Sequence, residues 1–288
     1  MRKATTRVLL LVGLPFLALI ALYTYFRLRT GRVVISFTST PVRVSKTRAT
    51  IESLLNQTYK VDAVIANIPK VFRRTNEAVV LPQWMTELAA QEPRFKIQRV
   101  DDRGPITKLY GTLETETQGN TTLIICDDDL IYDRHAVSRL LAAQLRQPDT
   151  VQCFSGLARQ RDPVSGALEW VGVHDKPADV GVCEGFKMIA FKRWMFEEDF
   201  ADFVALTAQH KSCFLGDDLV LGLYMRRKGI RCCTPGHIGI AHSGYGEDAD
   251  ALHKGASGEA VDNIGNYNTC LRMLGLSDAE MPARPLAK

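Results

Sequence analysis

The chain has 288 residues, 46% of them apolar, and a formal net charge of +4. Six basic residues, Arg2, Lys3, Arg7, Arg27, Arg29 and Arg32, precede position 33, so residues 33–288 carry a net −2. A nucleic-acid binder wants a basic patch on its folded domain, which excludes nucleic acid as partner; the 256 residues from position 33 on suffice for one large α/β domain.

Val8 to Phe26 is apolar apart from Gly13, Pro15 and Thr24. Such a run is just long enough to cross about 30 Å of hydrocarbon. It exceeds a signal-peptide core and shows no small-residue cleavage site. The expected organisation is a tail over 1–7, a transmembrane signal anchor over 8–26, a basic juxtamembrane stem over 27–32, a catalytic domain over 33–280 and a flexible tail over 281–288. The stem arginines suit anionic headgroups. Flanking charges are equal on both sides, so they do not set orientation. Two glycosylation sequons, Asn56-Gln57-Thr58 and Asn120-Thr121-Thr122, favour a single-pass membrane glycoprotein with a lumenal body of the Golgi or ER type.

The body alternates strand and helix patterns. Strands are expected over Val33–Phe37, Ala63–Ile68 (stopped by Pro69), Phe95–Val100 and Thr122–Cys126. Helices are expected over Ser45–Leu55, Pro82–Ala90, Thr107–Thr117 and Asp133–Leu145, the last with Val137, Leu140, Leu141 and Leu145 on one face. This alternation implies a mixed, mostly parallel central sheet with right-handed crossovers, flanked by helices. The second half is less regular. Val151–Phe154 and Met188–Phe191 read as strands and Leu219–Arg227 as a helix whose Arg226-Arg227-Lys228 end precedes Gly229. Residues 156–182 read as a loop or hairpin that lines a site.

The seven cysteines form no C-x-x-C pair, which argues against a zinc cage. Cys126 and Cys153 lie in apolar runs and read as core thiols. One disulfide among the later cysteines is open, with no pairing assigned.

Three aspartates, Asp127, Asp128 and Asp129, follow the Thr122–Cys126 strand. The carboxyl ends of strands form the ligand-binding rim of open α/β sheets. Residues i and i+2 of an extended chain point the same way, so Asp127 and Asp129 can meet one hard cation while Asp128 points elsewhere. Magnesium or manganese held by one or two carboxylates and completed by substrate phosphates is a common arrangement. An ordinary turn or cap accounts for aspartates as well, and Asp133 is placed to cap the next helix. The DDxxD of prenyl-chain synthases does not fit, because the motif here leads to Ile131 and lies on a strand. A second cluster, Gly216-Asp217-Asp218-Leu219, opens a helix, where one aspartate can cap and the other remove a proton from an attacking hydroxyl.

Ser39-Thr40-Pro41 with Arg43, Gly104-Pro105-Ile106-Thr107-Lys108-Leu109, Cys126-Asp127-Asp128-Asp129, Cys183-Glu184-Gly185 and Gly216-Asp217-Asp218-Leu219 occur in this order. Together they resemble the nucleotide-sugar-dependent glycosyltransferases of the GT-A fold, close to the family 2-like enzymes, over residues 33–245. The resemblance implies a UDP- or GDP-sugar donor and a glycan, lipid or protein acceptor. It implies that Thr38, Ser39, Thr40, Arg43, Lys108, Asp127 and Asp128 contact the donor and that Glu184 and Gly185 face the acceptor. It further implies Mn2+ or Mg2+ on Asp127 and Asp129, with His242 of the Ala241–Gly246 loop as a third ligand, and that loop closing over the diphosphate. The base is then Asp218 or Asp217, and in-line displacement inverts the anomeric centre. Asn67-Ile68-Pro69 ends the second strand without a base-reading aspartate, so the nucleobase stays open. The rivals are a non-catalytic nucleotide-sugar binder and a metal-dependent phosphoester hydrolase. The hydrolase usually needs more histidines than the six here, and no G-x-S-x-G supports a serine hydrolase.

Overall fold

Val33–Phe37 is a run of β-branched and aromatic residues, buried at every position, and forms strand β1. Alternate side chains enter two separate cores. Val34 packs with Ile65, Leu109 and Leu123 on one face; Val33, Ile35 and Phe37 pack with Ile51, Leu54, Val137 and Leu140 on the other. A strand covered on both faces reads as continuously apolar. The computed structural model describes residues 17–18, 20–21, 24–174, 176–236, 263–282 and 284–285.

The strands that follow are β2 (Ala63–Pro69), β3 (Val71–Phe72), β4 (Glu77–Ala78), β5 (Phe95–Val100), β6 (Thr122–Ile125), β7 (Thr150–Cys153), β8 (Gly156–Arg161), β9 (Leu168–Val173), β10 (Pro177–Val180), β11 (Val182–Cys183), β12 (Ile189–Lys192), β13 (Arg231–Pro235) and β14 (Arg284–Pro285). The helices are α1 (24–30), α2 (Arg48–Leu55), α3 (Gln83–Gln91), α4 (Thr107–Leu113), α5 (Ala136–Arg146), α6 (Phe200–Thr207), α7 (Lys211–Leu215), α8 (Asp217–Arg227) and α9 (Asn263–Met273). Nine strands form the main sheet in the order β14-β10-β13-β7-β12-β6-β1-β2-β5. Only β10 and β12 in that sheet run against the other strands. The sheet is therefore mixed and largely parallel, as expected. A three-stranded sheet, β11-β8-β9, carries the predicted hairpin of the 156–182 region.

Several boundaries move for local reasons. The expected helix Ser45–Leu55 divides into a 3-10 turn, Val44–Lys46, and α2. The expected Thr107–Thr117 helix ends at Leu113, where the Thr115 hydroxyl bonds the Thr112 carbonyl at 3.2 Å and competes with helix bonding. Asp133 does not open its helix. Its carboxylate accepts from the His135 N–H at 2.9 Å, making a turn before α5 begins at Ala136. Helix α8 starts at Asp217, two residues earlier than read.

Both ends of the domain need correction. Among the described residues no helix is long and apolar enough to cross a membrane, and most of Val8–Phe26 lies outside them. This finding overturns the single-pass membrane placement and the lumenal assignment built on it. The basic stem belongs to the domain itself. Arg27 donates to both oxygens of Asp62 at 3.1 and 2.9 Å and to the Tyr59 hydroxyl at 3.0 Å. Arg32 pairs with Glu116 at 3.0 Å. These guanidiniums are occupied by the protein's own carboxylates rather than offered to lipid. The tail expected to fray from 281 begins inside the fold: Met281 is buried and exchanges two backbone hydrogen bonds with Arg159, at 2.7 and 2.8 Å.

Buried Lys192 fastens α1 to the sheet. Its ammonium reaches the carbonyls of Arg29, Thr30 and Asn120 and the Asn120 side-chain oxygen, at 2.8 to 3.1 Å. A disulfide joins Cys213 of α7 to Cys270 of α9, giving a pairing the sequence left open. Cys126 and Cys153 are buried free thiols, as expected.

Candidate functional site

The parallel strands β1, β2 and β6 end on one rim, and the predicted site residues gather there from five separate stretches of chain. After β6, Asp127 takes a hydrogen bond from the Lys108 ammonium at 2.9 Å. Lys108 lies in the first turn of α4, whose position is fixed from below. The Lys108 carbonyl accepts from the Ser36 hydroxyl at 2.6 Å and from the Asn67 side-chain amide at 3.0 Å. The same ammonium lies 3.0 Å from Oδ2 of Asp217 at the start of α8. That oxygen makes no hydrogen bond, so the contact is an ion pair in distance without hydrogen-bond alignment. Beside it, the backbone N–H of Gly185 lies 3.1 Å from each oxygen of Asp218. Lys108, Asp127, Asp217, Asp218 and Gly185 thus form one cluster.

A second group adjoins it. Asp128 is buried and converges with Asp129 on one Arg43 nitrogen, whereas Asp127 turns to Lys108, so the expected alternation is not seen. Asp128 takes hydrogen bonds from the Ser39 hydroxyl, at 2.5 Å, and from Arg43. Arg43 also pairs with Asp129 at 2.7 Å. Thr38 spends its hydroxyl on the Asn67 carbonyl at 2.8 Å. The Thr40 hydroxyl is buried without a hydrogen-bond partner. Glu184 stands slightly apart, taking a 2.6 Å bond from the Ser155 hydroxyl. His242 lies outside the described residues.

The electrostatics follow from five aspartates (Asp127, Asp128, Asp129, Asp217, Asp218) set around two cations, Arg43 and Lys108. Burial alone would lower the Lys108 pKa; Asp127, Asp217 and Asp218 outweigh it and raise it well above the ordinary value. Burial pushes Asp127 up, but the Lys108 charge prevails and holds its carboxyl below the usual range. Burial carries Asp128 to about 6 despite Arg43 and Ser39. Burial and then the Asp127 charge raise Asp129. Burial raises Asp217 against the pull of Lys108, and burial plus the Asp217 charge drive Asp218 well above the carboxylate range.

Asp127 and Asp129 are close enough for the charge of one to disfavour that of the other. Two hard oxygen donors under mutual repulsion at an open rim suit a divalent cation completed by phosphate oxygens. Among the described residues no group of three His, Cys, Asp or Glu side chains is set to hold a metal by itself. Asp127 and Asp129 supply hard oxygen donors, each already paired with a cation of the chain, Lys108 and Arg43.

A cleft of about 660 Å³ opens beside this rim, between Thr40–Val42, the β3–β4 turn and residues 208–215. The Arg73 guanidinium lies 5.3 Å over the Phe214 ring on its wall. Phe214 is seated by Gly104, which has φ +77°, and a Cβ there would come within 2.6 Å of the Phe214 carbonyl oxygen. Sequence reading missed Phe214, Ser155 and Tyr132, and took Asn67 only as a strand end lacking a base-reading acid. The Tyr132 hydroxyl accepts from the Asp127 N–H at 3.1 Å and lies 2.9 Å from the Phe186 carbonyl, to which it can donate. Its signal, a tyrosine five residues after Asp127, carries no periodicity that would have marked it.

No protein-family model matches the chain, and no curated protein matches it. Among solved structures it is similar to the crystal structure of 4-diphosphocytidyl-2C-methyl-D-erythritol synthase. The two share 8% identity over 72% of this chain and 90% of that one, with a TM-score of 0.43. A likeness that distant says nothing of substrate or reaction.

Proposed function

We propose that the chain is a nucleotide-sugar-dependent glycosyltransferase of the GT-A type. It would take a UDP- or GDP-sugar and pass the sugar to an acceptor hydroxyl of a glycan, lipid or protein, with inversion. The observation that carries this reading is the Lys108 ammonium joining Asp127 and Asp217, 2.9 and 3.0 Å away. Through it the strand-end aspartates meet the helix-start aspartates at one rim, as the resemblance requires.

Asp127 and Asp129 would hold Mn2+ or Mg2+, which offsets charge on the leaving diphosphate. Lys108 and Arg43 add positive charge on the donor side, and the Thr38–Arg43 loop lines the entrance. Asp218 removes the proton from the acceptor hydroxyl. Its raised pKa makes it a stronger base than an exposed aspartate, and the Gly185 N–H fixes its orientation. Asp217 holds Lys108 in place. Glu184, held by Ser155, would face the acceptor.

The test is nucleotide release by the full chain from UDP- and GDP-sugars, with and without Mn2+, followed by anomeric analysis of the product. Metal-dependent release from one donor, lost in Asp127→Ala, is expected. Saturable nucleotide binding with no turnover for any acceptor would favour the non-catalytic binder. Phosphate release from simple esters would favour the hydrolase. A retained anomeric configuration would remove Asp218 as base, and absence of any nucleotide binding would overturn the proposal.

A further inference from the structure

Lys108 occupies an unusual place for a lysine. Its side chain is 5% exposed, between Asp127 and Asp217. The absence of a side chain at Gly185 makes room for the ammonium, since a Cβ there would lie 2.8 Å from Nζ. Asp127, whose side chain is 37% exposed, marks the open direction, toward the rim. Across the same rim Arg43 closes Asp128 and Asp129. Each carboxylate suited to a divalent cation is thus already paired with a cation from the chain.

An ammonium and a divalent cation compete for the same carboxylate oxygen. If both stay, they repel at short range in a poorly screened site. The repulsion is relieved when an anion arrives for one of them. A diphosphate at the rim lies in the direction Lys108 can move, and a lysine stem has the rotatable bonds to follow it.

We propose that Lys108 is an internal counter-cation that holds Asp127 in the unliganded site and passes to the donor's diphosphate when a divalent cation takes Asp127. The inference rests on the transferase reading for the identity of the anion. Lys108 is then the element through which cation entry and nucleotide entry are coupled, and such coupling is reciprocal.

The test measures Mn2+ binding without nucleotide, by the electron paramagnetic resonance of free Mn2+, and UDP and GDP binding without metal, by calorimetry. Full-length wild type, Lys108→Met and Lys108→Arg are compared. Lys108→Met should bind Mn2+ alone at least about tenfold more tightly and nucleotide at least about tenfold more weakly, because Asp127 is uncovered while the diphosphate loses its cation. Lys108→Arg keeps a positive charge on Asp127 and should bind Mn2+ alone no more tightly than wild type. The opposite signs are the signature: a merely structural lysine would weaken both ligands when removed. Weakening of both, or unchanged Mn2+ affinity in Lys108→Met, overturns the inference. Should Lys108→Met not fold, Lys108→Gln carries the same expectations. Wild type that binds Mn2+ and nucleotide together, with Lys108→Met no different, defeats this inference alone. Wild type that binds neither, in any combination, defeats the transferase reading as well.

Discussion

The Gly185 N–H lies equidistant, at 3.1 Å, from the two carboxylate oxygens of Asp218. One backbone donor between two acceptors orients the carboxylate while leaving lone pairs on both oxygens for a substrate proton. Gly185 is needed there because a Cβ would lie 2.8 Å from Lys108 Nζ and 3.0 Å from Asp218 Oδ1. Both obstructing atoms end movable side chains. Gly185→Ala should therefore displace them at small cost in stability, with the melting temperature moving by less than about 3 °C. Transfer should fall at least about tenfold, a loss of about 1.4 kcal/mol of transition-state stabilisation. Parallel melting and rate measurements on the purified variant check this; an active Gly185→Ala would place the reacting hydroxyl elsewhere.

Asp129→Asn should keep the fold and lose transfer. Arg43 can still hydrogen-bond the neutral amide, while the repulsion between Asp127 and Asp129 disappears. Circular dichroism identical to wild type with a rate at least about a hundredfold lower is expected. Full activity would show that Asp129 does not serve the donor.

The pH dependence of stability should carry the mark of Asp128. Its pKa is raised on folding, from 3.8 to about 6. A raised carboxyl contributes stability that is complete below pH 4 and lost as pH rises through 6. Wild type should lose up to about 3 kcal/mol relative to Asp128→Asn between pH 4 and 7, taking 1.36 kcal/mol per unit. Urea titrations of both proteins across that range measure the difference. A difference independent of pH would mean that Arg43 keeps the carboxylate charged throughout.

Lys192 sets two effects against each other. Burial pushes its ammonium down to about 8, and replacing a buried charge with an apolar group can stabilise a protein. Here, however, four oxygens at 2.8 to 3.1 Å depend on it. Unpaired buried acceptors cost about 1–3 kcal/mol each, so the second effect should prevail. Lys192→Met is expected to lose at least about 2 kcal/mol in urea unfolding and to expose residues 24–30 to protease. A variant more stable than wild type would reverse the ranking.

The Cys213–Cys270 disulfide spans 57 residues. Constraint of a loop that long in the unfolded chain is worth about 4 kcal/mol in the entropic account. Cys270→Ser should lower stability by about 2–4 kcal/mol, and α7 leads directly into Asp217. Activity should therefore fail at lower temperature than in wild type; equal thermal profiles would show the bond to be idle.

The first half of the sheet was legible because β1, β2 and β6 are buried on both faces and read as unbroken apolar runs. The rim was legible because acidic residues follow such a run directly. What escaped depends on partners far along the chain. Asn67 reads as a strand end lacking a base-reading acid, yet it is buried and braces α4 through the Lys108 carbonyl and the Thr112 hydroxyl. Strand β13, Arg-Cys-Cys-Thr-Pro, has too little apolar character to be seen, and pairing with β7 and β10 makes it a strand. The basic stem was misread for the same reason: hydropathy registers six positive charges beside an apolar run but not the carboxylates of Asp62 and Glu116 waiting for two of them.

That last contact fixes where a working fragment of this protein can be cut. Begun at Val33, a shortened chain would strip Asp62 of Arg27 and Glu116 of Arg32, and would take the Thr30 carbonyl from both Lys192 and the Thr122 hydroxyl. Thr122 opens the strand that ends at the acidic rim, so damage at one end of β6 would be passed along it to Asp127. A fragment meant to work must therefore keep Arg27, Thr30 and Arg32, and an inert fragment trimmed at 33 would testify to the trimming rather than to the chemistry.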